Sequence, residues 1–195
     1  GPDSRPMESY LVYSPAWAPD ASELAYQRFV GYQALVDINM TELGVAFRGP
    51  GAPISIGAGW LLPPRFAPDG RTIAVVQHNF GDPRGFSGYD IWSVTLLRPG
   101  STETVPLPAG DITLSATVTA SLPRATAAAW APDSTRLAVI LPMGWQPGRS
   151  AQEPAYPTEG PGAVWLWVPG SDPTQPLASD IDFGSPLLWL PGSGA

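Results

Sequence analysis

FAPDGRTIAVV, residues 66–76, holds a turn and a strand in one short phrase. Pro68 presets φ, Asp69 offers its carboxylate to nearby backbone N–H groups, and Gly70 supplies a positive φ, so residues 68–71 form a tight turn. The run from Thr72 to His78 is apolar and largely β-branched up to Val76, too short for a helical face, and reads as a strand. The phrase recurs. WAPDASELAYQ occupies residues 17–27 and WAPDSTRLAVI occupies residues 130–140. A fourth start, SPLLWLPGSG, covers residues 185–194. The anchoring aromatics are Trp17, Phe66, Trp130 and Trp189, separated by 49 residues (17 to 66), 64 residues (66 to 130) and 59 residues (130 to 189).

A repeat of about 50 residues with four short strands per unit is the signature of a β-propeller. Unit two shows the four most clearly: a strand ending at Phe66, one at 72–78, one at 89–97 and one at 104–108, with RPGSTE (98–103) as a hairpin turn. Unit one follows with strands near 23–29, 32–38 and 44–48, and unit three with strands at 136–141, 163–168 and 175–178. ESYLVYS (8–14) is left over as a strand that completes some other blade. The expected organisation is one all-β propeller-type domain over 1–195. Blade one covers about 8–60, blade two 61–122, blade three 123–184, and 185–195 is a partial blade. Propellers close with about four to eight blades, so three to four blades imply an incomplete ring. Open blade faces invite pairing, either as a closed dimeric ring or as a head-to-tail filament. The spare strand and the terminal stub are expected to complement each other between copies.

The phrase resembles the blade motif of TolB-type propeller repeats, W-S-P-D-G-x-x-[IL]-A. Three full units and a stub carry it, nearly the whole chain. Two departures stand out: Ala precedes Pro in all three units, and Gly follows Asp only at Gly70, with Ala21 and Ser134 elsewhere. The resemblance implies that Trp17, Phe66 and Trp130 pack between neighbouring sheets and that Asp20, Asp69 and Asp133 cap the turns. It also implies two possible settings, a scaffolding propeller or the propeller of a prolyl-oligopeptidase-type hydrolase.

Composition narrows the function. The net charge is −7 and all ten cations are arginines scattered along the chain, so no basic stripe points to nucleic acid. Hydrophobic residues make up 44%, which indicates a folded chain, while charged residues make up only 14% against the usual share of about 25%. There is no cysteine, which removes disulfides, thiolate metal sites and cysteine nucleophiles. No apolar run reaches the length of a membrane span and no leader peptide is visible, while Gly1-Pro2 reads as a protease scar or a processed end. An extracellular or periplasmic setting is the expectation, with the cytoplasm left open.

The chemistry-bearing residues are sparse. His78 is the single histidine and reads as a hydrogen-bonded imidazole near a strand end, not as part of a triad. GFSGYD (85–90) lacks the spacing of a nucleophile elbow. The turn aspartates lack the clustered oxygens that calcium needs. Asp180 and Asp182 alternate onto one face of an extended strand, a spacing that glycosidase carboxylates share, although a solvated edge explains it as well. The Pro/Gly-rich segment at 142–162 is long for a loop, and its Trp145, Arg149 and Tyr156 form a candidate interaction loop for protein or carbohydrate. No catalytic residue, metal ligand or cofactor is assigned. The expected activity is a non-catalytic interaction or scaffolding role, with copies of the same chain or another protein as partner. An accessory propeller of a hydrolase and a carbohydrate-binding propeller are the alternatives.

Overall fold

The computed structural model describes residues 10–30, 40–47, 53–58, 60–61, 63–79, 91–105, 112–145, 161–182 and 184–190. Among these, every regular element is a β-strand. The first sheet joins β1 (Tyr10–Trp17), β2 (Glu23–Val30), β3 (Met40–Phe47) and β4 (Pro53–Ala58) in chain order. The second holds β5 (Trp60–Leu61) and β6 (Arg65–Phe66), both paired with β7 (Ile73–Asn79), followed by β8 (Ile91–Val105) and β9 (Ile112–Pro123). The third joins β10 (Ala128–Trp130), β11 (Leu137–Pro142), β12 (Pro161–Trp167) and β13 (Pro176–Asp182). Neighbouring strands are antiparallel throughout, so each sheet is an up-and-down meander, as in a propeller blade.

The sheets stack in chain order. Sheet one meets sheet two through β1 against β6 and β4 against β9, and sheet two meets sheet three through β6 and β7 against β10. Sheet two therefore has a neighbour on each side. Its strands are buried on successive residues, 72–76 and 93–97, because both faces are covered. Ala74, Val76, Val94 and Leu96 point toward sheet three and form one core with Trp130, Leu137, Val139, Leu141 and Trp167. Ile73, Val75 and Leu97, equally buried, take the alternate positions.

Several expected strands lie elsewhere. From Tyr10 on, ESYLVYS belongs to β1, the first strand of sheet one, paired with β2 from Tyr10↔Val30 to Trp17↔Leu24. It is no spare strand but the edge strand of a described sheet. Residues 32–38 lie outside the described residues, and the expected fourth strand at 44–48 falls, over 44–47, on the end of β3, with β4 as the fourth. RPGSTE is not a hairpin turn. β8 runs through it and absorbs the extra residues as a bulge, with Gly100, Ser101 and Thr102 opposite Ser115 between the pairs Pro99↔Ala116 and Glu103↔Leu114. The fourth strand of sheet two is consequently β9, beyond 104–108.

The first strands of sheets one and two share a defect. Ser14-Pro15 face Tyr26 across a bulge in sheet one, and Pro63-Pro64 separate β5 from β6 in sheet two. Proline cannot donate to the ladder, so pairing breaks there and resumes just before the anchoring aromatic.

Candidate functional site at the blade junctions

The three phrases fold to the same turn. Ala21, Gly70 and Ser134 have φ of 57°, 71° and 60°. Their N–H groups donate to the carbonyls of Ala18, Ala67 and Ala131 at 2.9, 2.9 and 3.0 Å. Those alanines donate in turn to Glu23, Thr72 and Arg136, each at 2.8–2.9 Å. Asp20, Asp69 and Asp133 each accept the N–H two residues on, from Ser22, Arg71 and Thr135 at 3.0, 2.9 and 2.9 Å. The carboxylate thus closes an Asx turn, and the next residue takes the left-handed region that glycine occupies without strain.

The turns touch one another across the stack. Ser134 Oγ accepts the N–H of Asp69 at 3.0 Å. Pro19 lies beside Gly70, its Cδ 3.8 Å from where a Cβ would stand. One anchoring aromatic also reaches back. Trp130 is 8% exposed, and its Nε1 donates to the carbonyl of Arg65 in the preceding sheet at 3.0 Å. Phe66 is half-buried in the equivalent place. Trp17 is different: it is 64% exposed, so the expectation that it packs between sheets is corrected. Its turn is identical, but the face it presents is the outer face of sheet one.

The surroundings give the turns different electrostatics. In phrase three, Arg136 bridges Asp133 at 3.0 Å, and the N–H and hydroxyl of Thr135 hold the Asp133 carboxyl below its ordinary range, with Arg136 adding to the effect. In phrase one, Glu23 stands where Arg136 stands in phrase three. Burial pushes the Glu23 carboxyl up, and the nearby Asp20 adds to the rise. Glu23 Oε2 is buried without a hydrogen-bond partner.

The opposite end of the stack is also apolar. Ser185, Leu187 and Trp189 are half-buried while Pro186, Leu188 and Leu190 are exposed, the alternation of an extended strand. Leu187, Val164 and Ile181 pack on Ala127 and Ile140, on the side of sheet three away from the main core. Leu188 is 78% exposed and Leu190 69%.

The remaining candidates fall apart from this pattern. Arg149 and Tyr156 lie outside the described residues. Trp145 is no free loop-tip aromatic: it is half-buried against the core, with its ring 5.2 Å from that of Trp165 in an edge-on contact. His78 sits in β7, paired with Trp60 on one side and Trp92 on the other. Asp180 takes φ 58° in a bulge, where Ser179 and Asp180 face Ala163, so simple alternation does not put Asp180 and Asp182 on one face. Among the described residues, no three His, Cys, Asp or Glu side chains gather as metal ligands. Among them too, no helix is long and apolar enough to cross a membrane.

No family model matches the chain, and no curated protein matches it. The TolB-type expectation accordingly rests on the repeated phrase alone. A solved structure that matches is an acylaminoacyl peptidase from Pyrococcus horikoshii, at 13% identity and a TM-score of 0.51. The match covers 83% of this chain and 24% of that one, so the chain spans about a quarter of the peptidase's length. At this identity the likeness speaks for the fold: an all-β chain of propeller-type sheets.

Proposed function

We propose that the chain is a non-catalytic interaction module that works by burying its end faces against further propeller-type sheet, with copies of itself as the favoured partner. The observation that carries this reading is the asymmetry of the stack. Sheet two is covered on both sides, whereas exposed Trp17 marks one end and exposed Leu188 and Leu190 mark the other. Large apolar side chains held in solvent at both ends of one stack favour burial against a partner. Light scattering over a concentration series tests it. A mass that rises with concentration is expected, and a monodisperse monomer at high concentration overturns the reading.

A second reading draws on the peptidase likeness: the same sheets as part of a larger propeller beside a hydrolase domain. The gene's flanking sequence decides between them. Further blade phrases together with a G-x-S-x-G elbow favour the hydrolase setting. Carbohydrate binding has less behind it, since Trp145, which motivated it, is packed on its own sheet.

A further inference from the structure

The two internal junctions follow one rule. At both, the turn of one phrase rests on the turn before it, and at the second the opening aromatic also bonds back to the preceding sheet. At the second junction Trp130 donates to Arg65, the residue just before the preceding anchor, Phe66. Trp17 opens the same phrase on the same backbone, with its indole in solvent. At the far end, Leu187 of the extended segment 185–190 packs on sheet three, and Leu188 precedes Trp189 as Arg65 precedes Phe66. Among the described residues this segment joins no ladder.

We propose that Trp17 is the anchor of a head-to-tail contact, sitting on the extended Ser185–Leu190 segment of a second copy, with its indole N–H directed at the main-chain carbonyl of Leu188, the counterpart of Arg65. This rests on the interaction-module reading and adds its geometry. The occupant is a second copy because the contact continues an established interface. The two surfaces are different parts of the chain, Trp17 and the Leu188–Leu190 end, so the contact is heterologous and each copy offers one head and one tail. A tryptophan entering a pocket of aliphatic side chains at the middle of such a contact is the usual kind of binding hot spot.

The test is sedimentation equilibrium on the whole chain and on Trp17→Ala, Trp17→Phe and Leu188→Asp, with thermal melting as the control for folding. Trp17→Ala and Leu188→Asp are each expected to weaken association at least tenfold while melting as the parent does. Trp17→Phe is expected to lose less, because Phe66 fills the equivalent place without an N–H. An equimolar mixture of Trp17→Ala and Leu188→Asp restores one intact head and one intact tail, so 1:1 dimers should form with near-parental affinity. Association unchanged in Trp17→Ala, with no gain on mixing, overturns this contact while leaving self-association standing. A monomer at every concentration overturns both.

Discussion

The first and third phrases share a backbone and differ in what surrounds it. Their turns superpose in hydrogen bonding, in the sign of φ and in the carboxylate that closes them. Yet Trp130 is buried with its N–H bonded across the junction, while Trp17 stands in solvent. Ser134 accepts a bond from the neighbouring turn, where Ala21 has nothing to accept with. Arg136 neutralises its aspartate, where Glu23 opposes its own. The local code makes the turn and the neighbouring sheet makes the junction, so substitutions should separate the two.

The largest separation is expected at the aromatics. Trp130→Ala should lower stability by about 3–5 kcal/mol, the usual cost of emptying a buried aromatic site, with an added loss for the freed Arg65 carbonyl. Trp17→Ala in the monomer should change stability by no more than about 0.5 kcal/mol, as exposed substitutions do. Paired urea melts measure both. Equal losses would mean that Trp17 is covered within a single chain and that the contrast between the phrases is false.

The turns were legible before any coordinates because their chemistry is local: Pro, an Asx side chain and a left-handed residue determine the same geometry in three settings. Burial on both faces was legible too. Strands covered on one side only keep polar letters, as in ELAYQR, whereas TIAVV and LAVIL do not alternate. What stayed hidden is non-local. Pro99-Gly100 has the chemistry of a hairpin turn, but β8 and β9 pair on both sides of it, so the ladder wins and the extra residues bulge. The same letter, Trp, opens phrases one and three, and only the presence of a preceding sheet decides whether it is core or surface. Trp145 looked like a loop-tip contact because no sequence rule shows that Trp165 stands beside it.

The residue after the aspartate provides a smaller and opposite test. Ala21 takes a positive φ at a cost that glycine avoids, so Ala21→Gly should stabilise by about 1 kcal/mol, a rise in melting temperature of about 2–4 °C for a chain this size. Gly70→Ala should destabilise by a similar amount, with Pro19 at ordinary contact distance from the new methyl. Ser134→Ala keeps the strained φ and loses the acceptor for Asp69 N–H, at about 0.5–1.5 kcal/mol. If Ser134→Ala proves silent, the turn-to-turn contact contributes nothing and the junction is held by the aromatic alone.

The smallest effect is a difference in pH dependence, and its sign sharpens the comparison most. The Asp133 carboxyl lies below its ordinary range when folded, so it stabilises the native state once pH exceeds the unfolded value, and that gain is lost as pH falls through the folded value. Glu23 lies above its range, so the native state holds its proton more tightly than the unfolded chain does. Its contribution is therefore favourable below the unfolded value, about 4.3, and is lost as pH rises through the folded one. Asp133→Asn should flatten the acid limb of the stability profile. Glu23→Gln should do the reverse, removing a decline on the way to neutral pH and raising stability there, because an uncharged amide no longer faces Asp20 from a partly desolvated site. Chemical denaturation at closely spaced pH values resolves the two curves. Should both substitutions shift the profile in the same direction, the two carboxylates share one environment, and the distinction between a turn with its neighbour and a turn without one fails at the level of charge.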